Sequence, residues 1–396
     1  MRAPRFVSIF SGCGGFDLGF VQAGFDPVHA FDHWPAATSN FERNIGGKCS
    51  VADLRSGSLS LDEDCDVLLS GAPCQGFSTA GKRDVLDPRN QLLGAGVSIA
   101  LQIKPKVVVL ENVPGVTFGD HHHYWKQAKQ RLSSAGYEVE ELCMNASSFG
   151  VAQARKRIIL VAIRGRFKKL TLPKPSPILN LANALAGVDR SENHNPRFLE
   201  KNSRDGMIAA HIRPGQKLCD VRSGPTAVHS WNVPEVFGAT TINERDFLQA
   251  LSVLRRRSRV RSFGDADPVS LETLHAELGR GVERIARSLE KKEYIRRSGD
   301  MVDLKRTFNG KYRRLVLEEL SPTVHTKFGD ANYFLHPVEH RGLTVREAAR
   351  IQGFPDTYKF EGALRDQFKM IGNAVPPPLG RGIGQAIMNA AFKGRA

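Results

Sequence analysis

The chain has 396 residues, of which 41% are hydrophobic, and its 56 Lys and Arg residues against 41 Asp and Glu residues leave a net charge of +15. This composition excludes collagen, a disordered tail and a disulfide-stabilised miniprotein, and the length predicts two or three domains. The longest apolar runs are strand-length, so no membrane span is expected. The N-terminus lacks a signal-peptide core, and the six cysteines lack metal-site spacing. We therefore expect a cytoplasmic protein with reduced thiols and, from its charge, a polyanionic partner.

Residues 1–165 alternate short apolar runs with helix-length segments. Four runs bounded by Gly, Pro or charged residues are predicted strands, namely Phe6–Phe10, Asp66–Ser70, Val107–Leu110 and Arg157–Arg164. Helices are predicted between them, around Trp34–Asn44, Asn90–Ile103 and His123–Ala135. This alternation is typical of an α/β fold, in which helices cover both faces of a sheet.

The pattern changes after Arg166, where few clear periods occur up to Ala250, and a different domain is predicted there. Residues 255–314 carry 17 Lys and Arg against 9 Asp and Glu, a net charge of +8, so the polyanion is expected to bind at this segment. Helical periodicity returns in Leu343–Gln352. A Pro-rich run then precedes a predicted helix of small residues at Gly380–Phe392.

Within residues 255–314 the pattern predicts a helix over 269–278, a break at 279–281 and a second helix over 281–292. The second helix places Arg284, Arg287 and Lys291 outward. A turn is predicted at residues 298–300 and a hairpin turn at Asn309-Gly310. Helix, break, helix and hairpin is the order of a winged helix-turn-helix that binds DNA, although an ordinary basic helical insertion explains the pattern equally well.

A glycine-rich turn, Phe10–Gly15, follows the first predicted strand. Glycines let the backbone approach a ligand closely, but such turns occur both in dinucleotide enzymes and in ordinary tight turns. A further strand, between the first two of those four, is predicted to end near Asp32, whose carboxyl group is placed either to hold a ribose or to face solvent.

Two reactive side chains follow buried strands. Cys74 comes directly after a strand, where side chains face the ligand crevice, and is a candidate nucleophile. Most single cysteines are inert core residues, but the glycine-rich neighbourhood of Cys74 argues against simple packing. Glu111 ends an apolar strand, where a charge needs a partner, and is expected in the same crevice. Arg155 and Arg157 precede another strand and point the same way by alternation, although such basic runs are usually exposed.

Taken in this order, the motifs resemble those of the cytosine-C5 DNA methyltransferases of prokaryotic restriction-modification systems. The residues that carry the resemblance are Phe10–Gly15, Pro73-Cys74-Gln75, Glu111-Asn112-Val113, Gln153–Arg157, Leu343–Pro355 and Ile371–Pro377. The resemblance implies a Rossmann-like S-adenosylmethionine-dependent methyltransferase domain at 1–165, a smaller, variable target-recognition domain at 166–365, and a segment at 366–396 that completes the catalytic domain.

The resemblance also implies which residues bind S-adenosylmethionine. Phe10 would stack on the adenine, the Gly12–Gly15 turn would approach the methionine part, Asp32 would hold the ribose and Asp53 the adenine amino group. The other implied cofactor residues are Ser11, Gly12, Gly14, Gly15, His33, Leu54, Pro73, Asn373 and Val375. The family usually has Glu where this chain has Asp32, an acidic residue in place of Trp34, and commonly a proline in place of Ala72, so the cofactor geometry near Asp32 differs from the usual pattern.

The chemistry of the family explains these residue types. Cytosine C5 reacts only after a nucleophile adds to C6, and a Cys74 thiolate fits that role. Glu111 would hydrogen-bond N3 and the exocyclic amine, Arg157 would contact O2, and Arg155 would support the site or a phosphate. Because the base is inaccessible within the stack, the cytosine would be flipped out of double-stranded DNA. The loop Ser78–Arg89 would close over it. The implied DNA-binding residues of this region are Gln75, Ser78, Lys82, Arg83 and Arg89.

Other functions explain fewer of these residues. An RNA (tRNA) cytosine-C5 methyltransferase would share the motifs, but the basic insertion favours the major groove of a DNA duplex, which A-form RNA does not offer. A nicotinamide oxidoreductase would leave Pro73-Cys74-Gln75 unexplained, and a non-catalytic DNA-binding scaffold would be expected to have lost Cys74 or Glu111. The adjacent His121–His123 cannot easily converge on one ion, so no metal is expected. We expect a monomeric enzyme, and a cognate restriction endonuclease acting on the same DNA site is a further possible partner.

Overall fold

The computed structural model describes residues 2–61, 63–73, 88–257, 259–261 and 266–393. The chain forms two compact units. The first consists of Met1–His194, Glu318–Lys327 and Val345–Ala396, and the second of Asn195–Leu317 and Phe328–Thr344. The boundaries predicted at residues 165 and 365 both fall inside the first unit. The first unit extends further because backbone hydrogen bonds, such as Lys168 to Ala390 and Leu181 to Glu319, hold the segment after 165 within it.

A seven-stranded sheet forms the centre of the first unit. Its strands are β1 (Arg5–Ile9), β2 (Asp26–Asp32), β3 (Lys48–Val51), β4 (Val67–Ser70), β5 (Val107–Asn112), β6 (Glu138–Asn145) and β7 (Lys156–Ile163). They lie in the order β3-β2-β1-β4-β5-β7-β6, and β7 runs in the opposite direction to the other six. The chain order reverses direction between β1 and β4, so the carboxyl ends of these strands border a crevice of the kind that binds ligands. The predicted α/β fold is confirmed.

Thirteen α-helices are present in the described residues. In chain order they are α1 (Gly15–Gln22), α2 (Pro35–Ile45), α3 (Leu92–Ile103), α4 (His122–Ser134), α5 (Leu181–Leu185), α6 (Arg204–His211), α7 (Pro234–Phe237), α8 (Ile242–Arg257), α9 (Leu271–Leu278), α10 (Val282–Lys291), α11 (Val345–Gln352), α12 (Leu364–Asn373) and α13 (Pro377–Ile387). None of them is long and apolar enough to cross a membrane.

Helices pack on both faces of the large sheet. Alternate residues of β5 enter two separate cores, since successive side chains of a strand point to opposite faces. Val107 and Val109 lie in a core with residues of α1 and α13, whereas Val108 and Leu110 lie in one with residues of α3 and α4. All six residues of β5 are buried, as expected for a strand covered on both sides.

The C-terminal helix α13 packs against α1 with unusually close backbones. A Cβ atom added to Gly19 would lie 2.5 Å from the backbone of Pro377 and Arg381, and one added to Gly380 would lie 2.8 Å from the carbonyl oxygen of Phe16. Glycine is therefore required on both helices, which explains the small residues of the predicted C-terminal helix. The helix begins earlier than predicted, at Pro377, because proline fits the first turn of a helix.

The second unit contains three small sheets. Its strands are β8 (Lys217–Cys219), β9 (Ala227–Val228), β10 (Val269–Ser270), β11 (Ile295–Ser298), β12 (Met301–Leu304), β13 (Asn309–Lys311), β14 (Arg313–Arg314) and β15 (Phe334–Leu335). The sheet orders are β10-β12-β11, β13-β8-β9 and β14-β15. The hairpin turn predicted at Asn309-Gly310 is wrong. Both residues lie in β13, where Asn309 pairs with Cys219 of β8 and the register shifts before Lys311, so the Asn-Gly pair marks a strand irregularity.

Candidate active site

An ion pair lies at the carboxyl end of β5. The Nε atom of Arg157, at the start of the neighbouring strand β7, is 2.7 Å from Oε1 of Glu111, and both side chains are about 90% buried. Burial raises the pKa of Glu111, while the positive charges of Arg157 and Arg155 oppose that shift. Arg157 is the partner that a carboxyl group at the end of an apolar strand requires.

The segment that leads to Cys74 is attached beside this pair. Parallel pairing of β4 with β5 places Ser70 opposite Leu110. The Nδ2 atom of Asn112 then donates a hydrogen bond of 3.3 Å to the carbonyl oxygen of Ala72. Asn112 thereby fixes the backbone two residues before Cys74 next to the strand end that carries Glu111. No role for Asn112 was predicted from the sequence, although this residue directly follows Glu111.

For several predicted site residues the structure gives no position in the site. Cys74, Gln75, Ser78, Lys82 and Arg83 lie outside the described residues. Arg89 belongs to a short 3-10 helix, Pro88–Gln91, that precedes α3. Their roles remain predictions.

Arg155 is buried and bound to backbone. Its guanidinium donates hydrogen bonds of 2.8 Å to the carbonyl oxygen of Val324, 3.0 Å to that of Gly372 and 2.9 Å to that of Ala374. The side chain is 1% exposed and so does not reach a phosphate. Two roles were suggested for Arg155, and the geometry fits support of the site. Arg155, which directly precedes β7, is joined by these hydrogen bonds to Val324 and to the two sides of the end of α12.

Two buried glutamines reinforce this connection. Gln153 accepts a hydrogen bond of 3.0 Å from the backbone N–H of Val324, and its amide donates to the carbonyl oxygen of Ile351 at 3.2 Å. Gln352 donates to the carbonyl oxygens of Ile371 and Ala374 at 3.0 and 2.6 Å. Both glutamines lie in motifs that the sequence analysis noted, but their partners are distant in sequence. The network positions residues 371–375.

The glycine-rich turn faces open space at Gly12. Phe10, Gly12 and Gly14 have φ angles of +53°, +56° and +82°, and a Cβ atom added to Gly12 would meet nothing within 4 Å. Asp32 supports the turn from the end of β2, because its carboxylate accepts hydrogen bonds of 2.8 Å from the backbone N–H of Gly12 and 2.9 Å from that of Trp34. Each oxygen retains further acceptor capacity toward a ligand.

Val375, a predicted cofactor residue from the C-terminal part of the chain, lies against this turn. A Cβ atom added to Gly15 would lie 2.6 Å from the carbonyl oxygen of Val375, and one added to Gly71 would lie 3.0 Å from that of Phe10. Val375 is buried, whereas Asn373, the last residue of α12, is exposed. The fold therefore brings together residues from the beginning and the end of the chain at the crevice.

The other predicted cofactor residues differ in exposure. Ser11 donates its backbone N–H to the carbonyl oxygen of Phe31 at 3.2 Å, and Leu54 is buried in a core. His33 is largely exposed, with Nδ1 3.2 Å from Oδ1 of Asp32. Asp53 is exposed and pairs with Arg55, whose hydrogen bonds hold the pKa of that carboxyl below its usual value. Pro73 is half-buried at the end of the described segment.

Neither metal nor disulfide chemistry is evident where the structure can be described. No three His, Cys, Asp or Glu side chains in those parts of the chain are grouped to hold a metal ion. The five cysteines there form no disulfide. Burial raises the pKa of Cys13 to about 12, so the thiol within the glycine turn is a poor source of thiolate.

The family model for C-5 cytosine-specific DNA methylases matches residues 4–389. The chain belongs to this family. Its relatives include the type II methyltransferase M.XorII of Xanthomonas oryzae pv. oryzae, which is 29% identical over 99% of this chain and 86% of its own length. M.DdeI of Desulfomicrobium norvegicum is 28% identical, with 96% of this chain and 88% of that protein covered. The enzyme is a DNA cytosine-5-methyltransferase.

Solved structures share the fold. A prophage-encoded protein of E. coli, assigned as a DNA modification methyltransferase, has a TM-score of 0.59 and 22% identity and covers 98% of this chain and 99% of its own. The methyltransferase EhMeth of Entamoeba histolytica has a TM-score of 0.55 and 14% identity, with 98% of both chains covered. At these identities the likeness supports the fold alone.

Proposed function

We propose that the enzyme methylates C5 of a cytosine flipped out of duplex DNA at a specific sequence, using S-adenosylmethionine and a transient bond between Sγ of Cys74 and C6. The observation that carries the proposal is the buried pair of Glu111 and Arg157 at the end of β5, beside the backbone that Asn112 holds just before Cys74. A nucleophile, a partly desolvated carboxyl group and a fixed cation are what addition to a pyrimidine requires.

The crevice residues fit S-adenosylmethionine. The open space before Gly12 suits a ligand close to the backbone, and Asp32 retains acceptor capacity for ribose hydroxyls while it holds the turn. Phe10 would stack on the adenine, with Asp53 at its amino group. The other residues proposed to line the cofactor site are Ser11, Gly14, Gly15, His33, Leu54, Pro73, Asn373 and Val375. When bound, this cofactor supplies an electrophilic methyl group on a sulfonium.

The chain's own residues then account for the chemistry at the base. The Cys74 thiolate forms a bond to C6, and the electron pair of the C5–C6 double bond moves into the ring toward N3. Burial raises the pKa of Glu111, which favours a carboxyl proton available to N3. Arg157 holds Oε1 of Glu111, which leaves Oε2 to face the base, and the same guanidinium is proposed to contact O2.

The ring must then be restored. C5 bonds to the methyl group as the bond between that methyl and sulfur breaks, with the electron pair left on sulfur, and the N3 proton returns to Glu111. The proton on C5 then passes to solvent, and the C6–Sγ bond breaks so that Cys74 leaves as a thiolate and the C5–C6 double bond reforms. A stacked base cannot reach these groups, so the cytosine is flipped out, with the segment Ser78–Arg89 closing over it. We further propose a monomer that protects DNA from a cognate endonuclease acting on the same sequence.

Bisulfite sequencing of DNA from cells that express the enzyme tests the proposal. We expect 5-methylcytosine at every copy of one short sequence, and none in cells that express Cys74→Ala. Purified enzyme with labelled S-adenosylmethionine should methylate duplex DNA and not tRNA. Methylation of tRNA alone would establish the RNA cytosine methyltransferase instead, and transfer to neither substrate would overturn the proposed function.

The nucleophile has its own test. Cys74→Ser should lower the single-turnover rate of methyl transfer by several decades, because loss of thiolate addition removes much of the reduction in the barrier. DNA and cofactor affinity, measured by titration, should persist. Retention of a tenth of the wild-type rate would contradict the assignment of Cys74.

A further inference from the structure

The elements from α8 to β12 consist of three helices and a three-stranded antiparallel sheet. Helix α8 leads to the short strand β10, then to α9 and α10, and finally to the hairpin of β11 and β12. The three strands form an antiparallel sheet in the order β10-β12-β11. Three helices closed by such a sheet, with the last two strands as a hairpin, form the arrangement of a winged helix-turn-helix.

The connection between α9 and α10 is also typical of a helix-turn-helix. It is the three-residue turn 279–281, and Gly279 and Gly281 have φ angles of +78° and +92°, in the left-handed region that favours glycine. Helix α9 begins where the side chain of Ser270 accepts a hydrogen bond of 3.1 Å from the backbone N–H of Thr273. The start of α9 and the turn that follows it are therefore encoded by the local sequence.

These elements share one core. Leu254, Leu274, Ala286, Leu289 and Val302, from three helices and the sheet, are buried in the same cluster. Ion pairs add to this packing between elements. Lys292 and Ser288 both bind the carboxylate of Glu244 in α8, and Asp303 of β12 binds Arg255 and Arg296 at 2.6 Å each. Helix α10 is thus held in a fixed orientation.

Helix α10 exposes a basic stripe. Arg284, Arg287 and Lys291 are all exposed, and their spacings of three and four residues place them on one side of the helix. Val282, Ala286 and Leu289 are buried on the opposite side. The basic stripe is defined here as Arg284, Arg287 and Lys291. Its outward direction, predicted from the sequence, agrees with the burial pattern.

One carboxylate connects the stripe to the hairpin. Glu283 lies 3.0 Å from Nε of Arg287 and 2.9 Å from Nη1 of Arg297 in β11. Hydrogen bonds from these arginines hold the pKa of Glu283 below its usual value. Glu283 therefore restrains two cations that would otherwise be available to an anion, and it reduces the local positive charge.

We propose that residues 242–304 are a winged helix-turn-helix that inserts α10 into the major groove of the DNA that the enzyme methylates, a proposal that rests on the function proposed above. The occupant is duplex DNA because a helix fits its major groove and the basic stripe complements its phosphates. Arg284, in the first turn of α10, contacts base edges. Lys291, at the end of α10, contacts phosphate, since a recognition helix places its N-terminal residues deepest in the groove.

The test uses the full-length enzyme and a duplex that contains the sequence found by bisulfite sequencing. Binding is measured by fluorescence anisotropy across a salt titration. The triple variant Arg284→Ala, Arg287→Ala, Lys291→Ala should bind about 100-fold more weakly at moderate salt, and its log-log salt slope should be flatter by about two units. Affinity for S-adenosylmethionine should be unchanged, which shows that the protein remains folded.

A matched control removes the same number of positive charges elsewhere in the basic segment 255–314. Arg256, Arg257 and Lys305 are exposed and lie outside α10, so their triple alanine variant should bind within about threefold of wild type. An equal loss in this control would mean that net charge alone attracts the DNA, and would overturn the proposal.

Two single variants separate the roles of charge and readout. Arg284→Lys keeps the charge, so the salt slope should be unchanged while discrimination between the target and a duplex with one altered base pair falls by about tenfold. Glu283→Gln should tighten binding and steepen the slope, because it releases Arg287 and Arg297. Weaker binding by Glu283→Gln would contradict the stripe as a DNA contact.

The outcomes distinguish this proposal from the proposed function. If wild type methylates DNA but the α10 triple variant binds and methylates like wild type at every salt concentration, α10 does not dock on DNA and the inference fails while the function stands. If wild type methylates no DNA, the function fails. A structured RNA that outcompetes the target duplex would overturn duplex DNA as the occupant.

Discussion

The strand end of β5 and the basic stripe of α10 use arginine in opposite ways. Arg155 and Arg157 are at least nine-tenths buried and bind backbone carbonyls or Glu111, whereas Arg284 and Arg287 are exposed. Burial removes water from a charge and is costly unless fixed partners replace that water. The first arrangement therefore suits chemistry that needs a fixed, partly dry environment, and the second suits reversible contact with a polyanion.

The difference in burial predicts which property each arginine affects when it is removed. A buried arginine cannot adjust to a new partner without losing its hydrogen bonds, so its removal is expected to affect rate or stability. An exposed arginine loses little in the free protein, so its removal is expected to affect affinity and salt dependence. Substitution of a buried arginine in the first unit should thus change the rate or the stability. Substitution in the basic stripe should change the DNA affinity and its salt dependence.

Glu111→Gln sharpens this comparison most. Glutamine can donate one hydrogen bond but cannot supply a proton, so the single-turnover rate should fall by about 10²- to 10⁴-fold while DNA affinity is retained. The wild-type rate should decline as pH rises through the raised pKa of Glu111, because the proton donor is lost, and the variant should lack this decline.

The exposed Glu140 on β6 provides the control. Glu140→Gln removes the same charge away from β5 and should leave both the rate and its pH profile unchanged. Unaltered turnover of Glu111→Gln would show that the carboxyl group only completes an ion pair.

Arg155→Gln should act through stability. It leaves the carbonyl oxygens of Val324, Gly372 and Ala374 without their charged donor, and each such hydrogen bond contributes about 1.5–3 kcal/mol. We expect the free energy of unfolding in urea to fall by about 3 kcal/mol or more. Arg166→Ala, at an exposed position, should change it by less than about 0.5 kcal/mol. Equal stability of the two variants would mean that the carbonyls find other donors.

Asp17 offers an effect on stability that depends on pH. This residue of α1 is fully buried, and burial raises the pKa of its carboxyl to about 7 from 3.8. The folded protein therefore holds a proton that the unfolded chain releases, so this group's contribution to stability is complete below about pH 4 and is lost as pH rises through about 7.

Asp17→Asn cannot titrate, so its stability relative to wild type should rise by about 4 kcal/mol between pH 4 and pH 8. Urea unfolding at several pH values measures this difference. Parallel stability curves for the two proteins would exclude a shifted Asp17.

Most of the large sheet was predictable because its central strands are continuously apolar. The four predicted strands correspond to β1, β4, β5 and β7. The edge strand β6 escaped prediction since Glu138, Glu140 and Glu141 are exposed and interrupt its apolar pattern. Helix α8 lies partly in the region without clear periods, although Phe247, Leu251 and Leu254 are all buried.

The site was predictable only where chemistry follows a strand. Cys74 and Glu111 stand out because a reactive group follows an apolar run. The partners of Arg155 do not, because they lie 169, 217 and 219 residues away and are carbonyl groups that every residue carries. The hydrogen bond from Asn112 to Ala72 could not be predicted for the same reason, since its acceptor is a backbone carbonyl that any residue would offer.

The contact of α1 with α13 also affects how the enzyme is made. Roughly 350 residues separate the two helices, so at about 5–20 residues per second the ribosome needs roughly 20 to 70 seconds to supply the second after the first. Throughout that time the apolar side of α1, with Phe16 and Phe20, lacks its final cover. The nascent chain therefore passes through a long period of exposed hydrophobic surface, in which a chaperone that binds such surfaces should raise the yield of active enzyme.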